Sequence, residues 1–283
     1  ADLYEPPQIP SDEDMLSVLE GGWQSISEHT RDVKNKWSEI AVALLPSMDL
    51  EKHAGNEAVI WHDFGKNHPS WQQAVTTARE EAQTSAPEEK RPWGKFGLSQ
   101  SPRLKDGEGQ PLSGKALQRA IFQLKMVFRP GVLHEVASAL ALRQHHIDQS
   151  GNERIWDDTN HDLYLRHLLS EFLVMSHHGR VRKVLRDEIP KKPKSAKAMD
   201  SVRGIQQGDR LRSTRIGNVD LPETILDIEC RKMGRTADEH ESYTKGVLRL
   251  LKHYGPFRLA FLETLFRAAD GRVLNRKRMN FYL

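Results

Sequence analysis

The stretch "WHDFGKNHPSWQQA", residues 61–74, sets His62 and Asp63 side by side directly after an apolar run. Helix neighbours point about 100° apart, so this pair does not serve one packing face. An imidazole nitrogen and a carboxylate oxygen can instead hold one cation from two sides. Five more groups of the same kind are spread along the chain. His29 lies in "SISEHTRDV", His134 in "VLHEVASALAL" and Asp270 in "LETLFRAADG", and His177 with His178 closes "LLSEFLVMSHHG". Each falls on a helix-periodic stretch that must pack inward. Two imidazoles are wasteful packing at the end of an apolar helix, and a carboxylate near a helix C-terminus opposes the helix dipole. Cys230 is the only cysteine among 283 residues, against 13 histidines. Disulfides within the chain are therefore excluded, and any bound metal must be held by nitrogen and oxygen.

Helical periods dominate the elements that carry these groups. "DMLSVLEGGWQSISEHTRDVKNKWSEIAVALL" reads as one or two helices, with Leu16, Leu19, Trp23 and Ile26 at helical spacing. "NEAVIWHDFG" predicts a short buried helix ending near Gly65, and "PSWQQAVTTAREEAQ" begins with Pro69 and Ser70 as entry signals. "VLHEVASALALRQHH", "LYLRHLLSEFLVMSHHG" and "FRLAFLETLFRAADGRVL" are three further helices; Gly179 is the expected left-handed cap of the second, and the third is expected to stop at Gly271. No alternating β-branched run competes, so the fold class is all-α. Residues 84–115 and 187–223 are rich in Pro, Gly, Ser and charge and read as long irregular loops.

Composition limits the remaining possibilities. The chain is 37% hydrophobic and 29% charged, which suits one large domain or two small ones. No run approaches eighteen apolar residues, so no membrane span is expected, and the single cysteine points to a cytoplasmic setting. Residues 1–14 are acidic, Pro-rich and linker-like and lack an initiator Met, as in a processed chain or a domain of a larger fusion. No phosphate-binding Gly-x-x-x-x-Gly-Lys-Ser/Thr loop is present, so the chain has no motor of its own.

Net charge is only +3, yet its distribution is uneven. Between Gly179 and Ile216, twelve basic residues face four acidic ones, starting directly after the His177–His178 pair. Arg180, Arg182, Lys191, Lys192 and Lys194, with Arg276 in the tail beside Asp270, are the candidates for a phosphate-backbone track. Trp93 could stack a base, whereas Trp61 and Trp71 read as core. A second His-His pair, His145 and His146, lacks a following Gly cap and reads as rim or surface. His68, His161 and His167 read as surface.

Taken in order, these motifs resemble a known family. "WHDFGKNHPSWQQA" looks like the HD-Gly-Lys motif of the HD-domain nucleases attached to CRISPR-associated helicases of type I systems. "LHEVASALAL", "MSHHGRVR" and "YGPFRLAFLETLFRAADGR" are similar to that family's His-Glu helix, His-His-Gly motif and closing helix, and the match runs from about residue 23 to 276. The resemblance implies one HD nuclease domain, a helical bundle around a two-ion site. His29, His62, Asp63 and Asp270 would hold one ion, with Asp63 bridging to a second held by His134, His177 and His178. Lys66 would face the scissile phosphate. Imidazole-rich ligands favour Mn, Fe, Co or Ni over Mg. The implied substrate is single-stranded DNA, delivered by a separate or fused helicase at a target marked by an RNA-guided surveillance complex in a prokaryotic cell. Two other readings stay open: an HD-superfamily phosphohydrolase acting on mononucleotides, and a non-catalytic helical adaptor.

Overall fold

Ser25 starts the first long helix. Its hydroxyl accepts from the Glu28 amide at 3.0 Å, and the Glu28 carboxylate accepts from the Ser25 amide at 2.9 Å, a reciprocal cap that fixes the chain's entry. The computed structural model describes residues 23–85, 91–95, 97, 101–128, 130–149, 161–179, 184–185, 201–232 and 241–279. Among them are seven α-helices: α1 (Ile26–Leu44), α2 (Asp49–Trp61), α3 (Pro69–Glu81), α4 (Gly114–Val127), α5 (His134–Gln149), α6 (His161–Ser176) and α7 (Tyr243–Met279). The all-α expectation holds.

The helices sort by burial. Along α6, Leu168 to Ser176 are buried without interruption, and α5 is buried from His134 to Arg143. Stretches buried on every side belong at the centre of a bundle, and α5 and α6 pack together there against the buried face of α2. Helix α1 covers α2 and α7, where Trp37 meets Phe266 edge-on with ring centroids 5.7 Å apart. Trp37, Phe64, Phe172, Phe266, Leu140 and Leu169 are essentially inaccessible. Each contributes roughly 1.5–3 kcal/mol by leaving water.

Several elements depart from the sequence expectation. Trp23 precedes α1 and shares no helix with Ile26, because Gln24–Ser25 (β1) pairs antiparallel with Trp93–Lys95 (β2). The short helix before His62 starts earlier, at Asp49, and α4 arises from "GKALQRAIFQLKMV", taking in the last two residues of the expected first loop. The second loop is structured from Ser201 onward. Short antiparallel pairs form between Ser201–Val202 (β3) and Ile205–Gln206 (β4), Arg210–Leu211 (β5) and Thr224–Ile225 (β8), and Thr214–Ile216 (β6) and Val219–Leu221 (β7). Val202, Ile205, Leu211, Ile216 and Leu221 are buried, which anchors a segment too short in each strand to show a period. Helix α7 breaks at Gly255 (φ 70°, ψ 164°) before Pro256, then runs through Gly271 instead of stopping there. No helix among the described residues is long and apolar enough to cross a membrane. Residues 1–14, Arg180, Arg182, Lys191, Lys192 and Lys194 lie outside the described residues, as does the side chain of Arg276.

Candidate metal centre

Helices α2 and α6 end side by side, and each hands over a histidine in the same way. His62 follows Trp61 at the end of α2, and its Nδ1–H donates to the Val59 carbonyl at 2.7 Å. His177 follows Ser176 at the end of α6, and its Nδ1–H donates to the Val174 carbonyl at 2.7 Å. Each hydrogen bond fixes a tautomer whose lone pair sits on Nε2. Both Nε2 atoms are buried and have no hydrogen-bond partner. Nitrogen lone pairs left bare at two helix C-termini, where the dipole is negative, suit a cation.

Asp63 lies between two groups of such donors. Its Oδ2 is 3.4 Å from His29 Nε2 and 3.6 Å from His62 Nε2. Its Oδ1 is 3.4 Å from His134 Nε2 and 3.8 Å from His177 Nε2. On the first side, Asp270 Oδ1 is 3.0 Å from His29 Nε2, and donor atoms of His29, His62 and Asp270 all lie within 4.8 Å of one another. On the second, His134, His177 and His178 meet the same condition, with His178 Nε2 2.9 Å from His134 Nε2. All seven sequence candidates for ligation are thus brought together, and these buried groups can hold metal. Asp270 sits well before the end of α7, so the dipole argument made for it from sequence does not apply.

Burial and neighbouring charge set the protonation states. Burial and the Lys95 charge, partly offset by Asp270 and Asp63, lower the His29 imidazole to about 4. Burial and the surrounding imidazoles push His177 well below its usual value. Burial alone would raise the two carboxyls, but it is outweighed: by Lys66, His62, His134 and His29 at Asp63, and by His29, Lys95 and His62 at Asp270. Both stay well below the usual carboxylate range. At neutral pH these four groups are therefore two neutral imidazoles and two carboxylates, the forms that ligate metal.

Glycine in "HDFGK" has a steric cause. Residues Phe64–Asn67 form one 3-10 turn pressed onto the start of α5, where the Gly65 amide donates to Ser138 Oγ at 2.7 Å. A Cβ on Gly65 would stand 2.1 Å from the His134 carbonyl oxygen and 2.8 Å from the Ser138 amide nitrogen. The same turn puts Lys66 Nζ 2.8 Å from Asp63 Oδ2 and 5.7 Å from the Trp71 ring centre. Lys66 is thus buried against the Asp63 carboxylate.

The rim differs from expectation in several places. His68 is buried, accepts from the Ser70 amide at the start of α3, and pairs with Asp209 at 3.2 Å. Asn67 donates to the Arg212 carbonyl at 2.5 Å, so the β5–β6 segment is tied to the HD turn. Two arginines of that basic run are already matched, Arg210 to Glu223 at 3.0 Å and Arg215 to Asp220 at 3.6 Å. Trp93 is fully buried, 5.2 Å from the Trp23 ring, and offers no face to a base; Trp61 and Trp71 are core, as expected. His161 is exposed, but His146 and His167 are buried, not rim or surface. Lys95, buried in β2, is a site cation that sequence reading missed because its loop gives no periodic signal. No known protein family, curated protein or solved structure matches the chain.

Proposed function

We propose that the chain is a metal-dependent phosphodiesterase that cuts single-stranded DNA with two divalent transition ions, of the Mn, Fe, Co or Ni kind. The observation that carries this reading is the Asp63 carboxylate, with one oxygen turned to His29 and His62 and the other to His134 and His177. In this reading His29, His62 and Asp270 would hold one ion and His134, His177 and His178 the other, with Asp63 between the two groups. Two such ions would supply Lewis-acid clamping of a phosphodiester and activation of the attacking water. The protein's share is to keep the His29 and His177 imidazoles neutral, to aim those of His62 and His177, and to hold Asp63 at the end of α2. Lys66, one turn along, adds a positive charge beside Asp63 for the phosphate.

The CRISPR setting, with a helicase feeding the strand at an RNA-marked target, belongs to the same proposal and is supported by the order of the motifs. A mononucleotide phosphohydrolase is the second reading, favoured by the low exposure of the set: Asp63 is 1% and His177 3% exposed. The deciding experiment incubates metal-stripped protein with circular single-stranded DNA and a panel of divalent ions. Linearised circles with Mn or Co, absent in Asp63→Ala, support the nuclease. Intact circles with rapid turnover of deoxynucleotides support the second reading.

A further inference from the structure

We infer that Glu57, His146 and His167 form a separate site for one divalent cation of the zinc or cobalt type, which ties α2, α5 and α6 together away from the Asp63 centre. Each of these helices carries one residue of this trio and carries, or runs directly into, at least one of the other set. Glu57 precedes His62 by five residues, His146 follows His134 by twelve, and His167 precedes His177 by ten. At about 1.5 Å per residue these offsets are roughly 8, 18 and 15 Å along the helix axes, so no ligand is shared.

The three donor atoms lie within 4.8 Å of one another. His146 Nε2 is 2.9 Å from Glu57 Oε1, and the second carboxylate oxygen, Oε2, accepts from Ser170 Oγ at 2.9 Å. That hydroxyl aims the carboxylate, as outer hydrogen bonds do around metal ligands. His146 is 3% and His167 8% exposed, and His146 Nδ1 is buried with no partner. Burying two imidazoles beside a carboxylate is costly for packing alone. Two nitrogens and one carboxylate oxygen suit a tetrahedral borderline ion whose fourth ligand is solvent. The Glu57 side chain, 22% exposed, gives the ion its way in.

The rings also say what loading must do. His146 and His167 lie face to face, centroids 3.7 Å apart and planes 14° apart. In-plane lone pairs of near-parallel rings run side by side and do not converge. One ring must therefore turn about its Cβ–Cγ bond as the ion enters, and the stack is lost.

The test counts ions. Metal-stripped protein is equilibrated with Co(II), and bound cobalt per chain is read by dialysis and by visible absorption. Glu57→Gln and His167→Gln should each bind one equivalent fewer than the parent and lose the tetrahedral cobalt bands of that ion, while the metal-dependent activity of the Asp63 centre is unchanged. An equal cobalt count in parent and variants overturns the site. Should His167→Gln fail to fold by circular dichroism, Glu57→Gln, at the partly exposed edge, decides alone.

Discussion

His62 and His177, 115 positions apart, present the same atom by the same device, a ring whose Nδ1–H is held by the carbonyl three residues back. The device ties any metal binding to the folded state, which a bound ion would then stabilise by mass action. Addition of Mn at about 100 times its Kd should raise stability by about 2.7 kcal/mol in the parent. In His177→Ala or His178→Ala that gain should shrink by more than half, and in His145→Ala it should persist. A gain kept in His178→Ala and lost in His145→Ala would place the centre at the other end of α5. Thermal melts with and without Mn make the comparison.

Gly65 is the point of closest approach between the HD turn and α5. Gly65→Ala places a methyl against the His134 carbonyl, so the turn must move outward and carry Asp63 with it. Denaturant unfolding should show a loss of about 1–3 kcal/mol, the usual cost of overpacking. Metal affinity should fall as well. A variant with parent stability and parent affinity would mean that the turn has room to spare.

Lys66 and a bound cation compete for the charge of Asp63. With metal removed, Lys66→Met leaves a buried carboxylate without its ammonium, a loss of about 3 kcal/mol for a pair of this burial. With Mn present the ion compensates Asp63, and the loss should be much smaller. The stabilisation by Mn is therefore larger in Lys66→Met than in the parent, and equal values in the two proteins contradict the arrangement.

Acid should act on a group outside the candidate metal centre. Burial would raise the Glu241 carboxyl, but hydrogen bonds from Arg249, Lys245 and Tyr164 outweigh it and hold the group at about 2, below the ordinary 4.5. A depressed carboxyl contributes its full stability above the unfolded value and loses it as pH falls through the folded one. Glu241→Gln should thus be less stable than the parent at pH 7, and the gap should narrow between about pH 4.5 and 2. Denaturation midpoints across that range check it; a gap independent of pH would remove Glu241 as the source.

The clustering of the candidate ligands was legible in the sequence because its members sit where apolar helices end or must turn inward, a local signal. What was missed depends on distant partners. His146 is buried because Glu57, 89 residues earlier, reaches it, and His68 because Asp209, 141 residues later, does. No window of periodicity contains both members of either pair. The β-pairs after Ser201 escaped for a related reason: strands of two or three residues carry no period of two. Trp23 matched a helical spacing, yet the Ser25 cap and the pairing of Gln24 with Lys95 stop the helix short of it.

His29 and Asp270 are 241 positions apart, whereas His134 and His178 are separated by 44. Closing the longer span costs about 1.5 kcal/mol more in chain entropy, at roughly 0.6 kcal/mol for each doubling of length. Asp270 also rides on the part of α7 beyond the Gly255–Pro256 break, so its position depends on the bend there. The two halves of the candidate centre therefore differ in the chain entropy that their closure costs. His134, His177 and His178 come from two helices adjacent in sequence, whereas the His29–Asp270 half needs the last helix docked against the first.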